Sequence, residues 1–458
     1  MRIIVVGDGK VGYNLAEQLA KEDHDVVVVD RNQHTLQKTQ EMLDVMIVMG
    51  NGASMPVLQE AGIEECDLLI AVTSGDEVNI LCCMMARKLG CRQTIARVRN
   101  PEYDEQLMML NEDLGFAMTI NPEKTAALEM YRLLQLPSFL KRDSFANGKA
   151  ELVEIKVMEK GPLCGLRLEQ LPTVIKTPML ICAVDRNGEV TIPSGKFKLM
   201  AGDKVTLTAA TSDLIALIKK MGLHQQKIRD VILVGGSRTA VYLAKALIKS
   251  HVHVKLIEID EARCEEIAEQ LPEALVINGD GTLQDTLCEE GIEHTDAVVT
   301  LTGIDEENII ISLFASKMGA KKTITKVNRS EYSFVFMDKD FDSMVVPQDI
   351  VADAIIRYVR GMNDSSGSSV ITLSRIIGGK AEALEFLVTK GTNYAGTPLS
   401  KVPIKDGILM VCINRNGKII IPKGSDTFEP GDTVIIVSDT GMAIKDMNEI
   451  FKKQAAEG

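Results

Sequence analysis

The stretch "MRIIVVGDGKVGYNLAEQLA" (residues 1–20) decides the fold. A short Val/Ile run leads into Gly7-Asp8-Gly9-Lys10-Val11-Gly12, and a helix-like stretch follows at once. Strand, GxGxxG loop and helix in this order form the first turn of a dinucleotide-binding unit. The glycines permit the sharp turn and let backbone N–H groups reach a pyrophosphate, whose charge rests on the helix N-terminus. Asp30 closes the next apolar run, about 20 residues on, in the register expected of a ribose-binding carboxylate. It would accept hydrogen bonds from ribose hydroxyls and repel a 2′-phosphate. That favours NAD or an adenine nucleotide over NADP, although the neighbouring Arg31 weakens the exclusion.

The opening returns, altered, as "RDVILVGGSRTAVYLAKALI" at 229–248. "GIEECDLLIAVTSGDEVNI" (62–80) is answered by "GIEHTDAVVTLTGIDEENI" (291–309), and "DRNGEVTIPSGKFKLMAGDKV" (185–205) by "NRNGKIIIPKGSDTFEPGDTV" (414–434). Gly62/Gly291 and Gly202/Gly431 are each 229 residues apart, and 229 is half of 458. Two copies of one unit therefore fill the chain.

Within each copy, Val/Ile-rich runs alternate with helix-length segments, the βαβ signature of a parallel sheet. In the first copy, 3–7, 26–30, 45–49, 68–72, 94–98 and 117–120 read as strands, and Pro122 starts a helix. The polar stretch "KRDSFANGKA" (141–150) ends this part, and its counterpart "GMNDSSGSS" (361–369) reads as a flexible linker. The second part of each copy centres on a hairpin with an Asn-Gly turn, "LICAVDRNGEVTIP", followed by "AGDKVTLTA" or "PGDTVIIVS" and a closing helix. The fold class is α/β: two tandem Rossmann-like parallel-sheet domains (1–140 and 225–365), each followed by a small α+β module (141–224 and 366–458).

The second loop reads Gly235-Gly236-Ser237-Arg238-Thr239-Ala240. Serine stands for the middle glycine and alanine for the last, while Glu258 keeps the acidic position and Arg238 matches Lys10. The added side chains should hinder a dinucleotide pyrophosphate. A different nucleotide, weak binding and a purely structural loop all fit this pattern. Thr73 and Thr302 end the fourth strands, where ligands meet an open parallel sheet, and Ser74 follows Thr73. Both copies continue with Asp-Glu-x-Asn, Asp76-Glu77-Val78-Asn79 and Asp305-Glu306-Glu307-Asn308, whose acids read as an N-cap and an acidic first turn. Arg97 and Lys326 match on the fifth strands, placed to pair either with phosphate or with those carboxylates.

Composition excludes several classes. A net charge of −13 argues against a nucleic-acid partner or an anionic lipid footprint. No apolar run approaches the ~18–20 residues of a membrane span. No secretion signal is evident, and nine cysteines without a CxxC pair argue against a disulfide framework, so a reducing cytosol is expected. Cys82 and Cys83 read as small buried hydrophobes. The six histidines lie in or beside the nucleotide-binding parts, and the cores of the small modules, roughly 151–221 and 380–450, hold none. A dehydrogenase needs a substrate domain with a proton donor or acceptor facing the nicotinamide, and neither module supplies one. No catalytic residues and no metal site are expected.

The GxGxxG loop, the acidic end of the second strand, "VTSGDEVNI" and a small module ending "P…GD" together resemble the RCK or KTN domains that regulate potassium channels and transporters. A tandem pair without a membrane span resembles the cytosolic regulatory subunit of bacterial Trk systems. The resemblance implies that Gly7, Gly9, Gly12, Asp30, Thr73, Ser74 and Arg97 contact NAD(H) or ATP/ADP, and that Gly235, Glu258, Thr302 and Lys326 do so in the second copy. It also implies a homodimer or homotetramer ring, peripheral on the inner face of the membrane through a Trk-type potassium-translocating membrane subunit. Nucleotide binding would act on the pore if the ligand bound two ring states unequally. An NAD-dependent oxidoreductase is the alternative. A redox-sensing transcriptional regulator is disfavoured by the acidic charge and the lack of a basic helix-turn-helix region.

Overall fold

A computed structural model describes the chain except residues 102, 104–105, 107–114, 137–138, 222–226, 330–331, 333–341, 363–369, 377–379, 440–443, 445 and 453–458. The first sheet comprises β1 (Arg2–Val6), β2 (Asp25–Asp30), β3 (Met46–Met49), β4 (Leu68–Ala71), β5 (Gln93–Arg97) and β6 (Met118–Ile120). All its pairings are parallel, in the order β3-β2-β1-β4-β5-β6. Ile3–Val6 and Val26–Val29 are buried on both faces, as a sheet covered by helices on each side requires. The strand order reverses between β1 and β4, and such a switch point opens a crevice at the carboxyl ends of the strands.

The small module that follows is an antiparallel sheet of β7 (Lys141–Phe145), β8 (Ala150–Lys156), β9 (Leu180–Arg186), β10 (Glu189–Thr191) and β11 (Lys204–Ala210). The polar stretch 141–150 is therefore no boundary segment but a strand, a turn and the start of β8. Its charges are paired, Arg142 with Glu151, and Phe145 is buried, so a segment polar in sequence joins the sheet. Asn187 and Gly188 take φ of 54° and 85° in the hairpin turn, and Asn416 and Gly417 take 50° and 83°.

The second parallel sheet holds β12 (Asp230–Val234), β13 (His253–Glu258), β14 (Leu275–Asn278), β15 (Ala297–Thr300), β16 (Lys322–Lys326) and β17 (Ser343–Val345), in the same order as the first. The second module holds β18 (Val370–Ile376), β19 (Ala381–Leu387), β20 (Ile408–Arg415), β21 (Lys418–Ile420) and β22 (Thr433–Asp439). The helix Pro347–Met362 takes in the first two residues of the expected 361–369 linker, and 363–369 lie outside the described residues. Leu214–Lys220 is the closing helix of the first module; in the second, the described closing element is a 3₁₀ turn, Met447–Ile450.

The chain divides into two compact units, Met1–Leu128 with Val346–Ile356, and Glu129–Val345 with Arg357–Gly458. In the first unit, a helical segment from the second half of the sequence joins the unit of the first parallel sheet, and Asn14 Nδ2 of the helix Lys10–Lys21 donates to Asp349 Oδ1 at 3.1 Å. In the second unit the two small modules share one core, with Phe145, Leu152 and Cys182 packed in a cluster with Val411, Cys412 and Ile435. No helix among the described residues is long and apolar enough to cross a membrane.

Candidate functional site

Gly7 follows β1 with φ of 105°, a conformation an L side chain rarely adopts, and a Cβ there would lie 2.8 Å from Thr73 N. The first loop is thus pressed against the residues that follow β4, which brings Thr73 to the glycines. A Cβ at Gly12 would lie 1.8 Å from the Gly7 carbonyl oxygen, so loop and helix are in direct backbone contact. At Gly9 a Cβ would meet nothing within 4 Å, and this residue N-caps the helix Lys10–Lys21 without any side-chain hydrogen bond. The result is a helix N-terminus whose first amides are uncapped by any side chain, behind an open face. This is the arrangement that receives anionic oxygens. Lys10 is exposed beside it, while Val11 is buried and anchors the helix.

Asp30 organises the floor. Its Oδ2 accepts from Asp8 N at 2.7 Å and its Oδ1 from Asn32 N at 2.8 Å, leaving lone pairs on both oxygens for further donors. Asp8 does not point at a ligand. Its carboxylate is turned inward to accept from Thr39 Oγ1 at 2.8 Å, and burial, followed by the charge of Asp30, raises its pKa against the lowering effect of Thr39. Thr39, 2% exposed, has no sequence signal that links it to the loop.

On the other side of the crevice, Asn79 binds the end of β4. Its Oδ1 accepts from Thr73 N (2.8 Å) and Thr73 Oγ1 (2.7 Å), and its Nδ2 donates to Thr73 O (3.1 Å) and Arg97 O (2.9 Å). Arg97 Nη2 donates to Thr73 O, while its Nε is buried without a partner. Of the two roles open to Arg97 in the sequence, the described contacts include no ion pair with Asp76. Burial, and then Arg99, lowers its pKa. Asp76 is not the N-cap, a place Gly75 takes; its Oδ2 accepts from Arg99 N (2.9 Å) and Asn100 N (2.7 Å), tying the Asp76–Lys88 helix to the segment after β5. Ser74 is exposed at the rim.

The second copy repeats the frame and changes the mouth. Gly235 takes φ of 102°, with a Cβ there 2.8 Å from Thr302 N, and Asn308 Oδ1 accepts from Thr302 N at 2.9 Å. Asn308 Nδ2 donates to Thr302 O and Lys326 O at 3.2 and 3.1 Å, and Asp305 accepts from Asn328 N and Arg329 N at 2.9 and 3.0 Å. Lys326 is buried and its Nζ donates to Leu301 O at 3.4 Å. Glu258 accepts from Gly236 N (2.5 Å) and Asp260 N (2.9 Å), as Asp30 does from its own partners. A Cβ at Gly236 would lie 2.9 Å from Glu258 Oε2, so the longer acid takes space that Asp8 fills in the first loop. Arg263 Nε donates to Gly236 O at 2.9 Å, a contact that sequence spacing does not reveal.

The decisive change is Ser237. It N-caps the helix Arg238–Lys249, and its Oγ accepts from Ala240 N at 3.4 Å, so one amide that stays uncapped in the first copy is already partnered. Ala240 is fully buried where Gly12 has no room for a Cβ, so the second helix must begin further from its loop. Thr239 is buried like Val11, and Arg238 is exposed like Lys10. Among the described residues no group of three or more His, Cys, Asp or Glu is arranged to hold a metal.

Residues 3–122 and 231–347 match the TrkA-N domain, and 152–222 and 383–448 match the TrkA-C domain. The chain is 33% identical over 99% of its length to Trk system potassium uptake protein TrkA homolog 2 of Methanosarcina mazei, covering 100% of that protein. It is also 33% identical to Trk system potassium uptake protein TrkA of Haemophilus influenzae, over 99% of both chains. Among solved structures, the GsuK RCK domain superposes with a TM-score of 0.61 at 19% identity, over 96% of this chain and 92% of that one. A GsuK channel bound to NAD gives 0.61 at 19%, over 96% and 77%. With two parallel-sheet halves, two small modules and full-length similarity, the chain belongs to the TrkA family of Trk system potassium uptake proteins.

Proposed function

We propose that this chain is the nucleotide-sensing regulatory subunit of a Trk-type potassium transporter, with no catalytic residues of its own. One observation carries the nucleotide reading: the uncapped helix N-terminus at Gly9, open on its outer face, above a carboxylate at Asp30 with lone pairs to spare. Gly7, Asp8, Gly9, Lys10, Val11 and Gly12 supply the phosphate cradle, Asp8 through its backbone. Asp30 binds ribose, and Thr73, Ser74 and Arg97 form the opposite wall. NAD(H) is the proposed ligand here.

In the second half the same reading gives Gly235, Gly236, Ser237, Arg238, Thr239, Glu258, Thr302 and Lys326. The Ser237 cap competes with a pyrophosphate for the helix amides, so ATP or ADP is the better fit, held by the mobile charge of Arg238. The division into 1–140, 141–224, 225–365 and 366–458 follows the same scheme. A ring of such units needs more than the two on one chain, and closed symmetry supplies them in a homodimer or homotetramer. Such a ring sits on the cytoplasmic face of the membrane subunit. Ligands bias that subunit when they bind two ring shapes unequally. Family membership favours this reading over the oxidoreductase.

The test is potassium flux through proteoliposomes carrying a Trk-type membrane subunit, with this chain added and NADH, NAD, ATP or ADP varied. Flux that depends on both the chain and a nucleotide is expected; flux indifferent to nucleotide would overturn the proposal. Light scattering giving a species near the 50.1 kDa of one chain would count against the ring.

A further inference from the structure

At the opposite end of the first sheet from the glycine loop lie two thiols, Cys66 before β4 and Cys91 before β5. The β4–β5 register begins with Leu68 against Gln93, and Cys66 and Cys91 each stand two residues before these strands. The backbones are in contact there, Arg92 N donating to Cys66 O at 3.2 Å. Each sulfur bonds the carbonyl two residues on, Cys66 Sγ to Leu68 O at 3.1 Å and Cys91 Sγ to Gln93 O at 3.2 Å, so both side chains leave their strands in the same sense. Both belong to one core cluster. Adjacent strands lie about 4.8 Å apart, within the Cα separations that a disulfide accepts.

The second copy is a natural control. Thr295 stands for Cys66 and Ala320 for Cys91, each 229 residues on. Thr295 Oγ1 donates to Ala297 O at 3.2 Å, the same bond to the carbonyl two residues ahead. A hydroxyl therefore does all that the fold asks of Cys66, and a methyl all that it asks of Cys91. The paired sulfurs of the first copy are left without a structural reason.

We infer that Cys66 and Cys91 are a reversible dithiol–disulfide couple, a modification site confined to the first half and driven by a hydroperoxide. Cys91 is the attacking sulfur. The Arg87 guanidinium, whose Nη1 donates to Cys91 O at 3.1 Å, stands beside it and favours its thiolate. The Cys91 thiolate attacks one peroxide oxygen, the O–O bond breaks, and water or alcohol leaves with a proton. The Cys91 sulfenic acid so formed is attacked by Cys66, water departs and the S–S bond closes. Two electrons pass from the two sulfurs to the peroxide. Both thiols are 2% exposed, and their chain neighbours Glu65 and Arg92 have side chains each 79% exposed.

The experiment treats the reduced full-length chain with hydrogen peroxide, quenches with N-ethylmaleimide in denaturant, and digests with trypsin and Glu-C. Cleavage after Glu65, Glu77, Arg87, Lys88 and Arg92 puts Cys66 on peptide 66–77, Cys82 and Cys83 on 78–87, and Cys91 on 89–92. Mass spectrometry should find 66–77 linked to 89–92, lost on treatment with dithiothreitol and absent from Cys66→Thr and Cys91→Ala, the residues that the second copy already accommodates. Peptide 89–92 linked to 78–87 instead would overturn the assignment. So would alkylated Cys66 and Cys91 in a sample whose exposed Cys288 has been oxidised.

Discussion

The two glycine loops are built on the same frame and finished differently. In each, a glycine with positive φ abuts the threonine after the fourth strand, a carboxylate at the end of the second strand bonds the loop amide, and an asparagine clamps the threonine. In the first loop the helix N-terminus is left to whatever binds there. In the second, Ser237 partners Ala240 N from within the chain. A helix end satisfied by its own side chain has less to offer an external anion. The frame is common to both halves, and the proposed difference in ligand rests on the cap.

The sharpest way to break this comparison is at the helix–loop contact. Gly12→Ala drives a Cβ to 1.8 Å from the Gly7 carbonyl and should cost about 3 kcal/mol or more, read as a lower unfolding midpoint together with loss of NADH binding. The reverse change in the second copy, Ala240→Gly, should cost only about 0.5–1 kcal/mol. Comparable losses would mean that the two helices begin equally close to their loops.

The clamps test the shared frame. Asn79 and Asn308 are both fully buried and make matching bonds, so Asn79→Ala and Asn308→Ala should each lower stability by about 2–4 kcal/mol, measured by denaturant unfolding. A clear inequality would show that the frames, and not only the mouths, have diverged. The acids test the ligand. Asp30→Ala should weaken NADH by about 1–3 kcal/mol in calorimetry, as charge-assisted bonds to ribose require, whereas Glu258→Ala should leave NADH affinity unchanged.

The smallest effect concerns pH. Burial and Asp30 raise Asp8 above 3.8, so its ionisation opposes folding. The contribution of protonated Asp8 to stability is fully present below 3.8 and is lost as pH rises through the raised value. Asp8→Asn should flatten that dependence and stabilise the first half at neutral pH by less than about 1 kcal/mol. The second loop, with Gly236 at this place, has no such group.

Much of this frame is legible in the amino-acid order. Val/Ile runs between Gly, Asn and Asp mark the first sheet's strands because a sheet buried on both faces leaves an uninterrupted apolar signal. The glycine loop and Asp30 read directly, since both are local. Asp8 does not, because its direction depends on Thr39, a partner distant in sequence. Asp76 and Glu77 read as cap and first-turn residues, because acids at a helix start usually are. Only the turn after β5 shows that Asp76 holds that segment's amides. The β7 strand reads as a polar boundary because of its charges, of which Arg142 pairs across to Glu151 of β8 and Lys141 with Asp143 within the strand. The segment Val346–Ile356, which joins the first unit from the second half, follows from no local pattern. For that reason separate half-chains would each lack a piece, and the comparison is better made in the full chain.

The most direct measurement exchanges the caps. Gly9 has open space for a Cβ and takes φ of −77°, so Gly9→Ser installs the second loop's serine without strain, and Ser237→Gly removes it. Calorimetric titration of the full chain with NADH should show affinity falling in Gly9→Ser and NADH binding gained at the second loop in Ser237→Gly. Unchanged NADH binding in both variants, with two equal sites per chain in the parent, would contradict the claim that the serine cap separates the two halves.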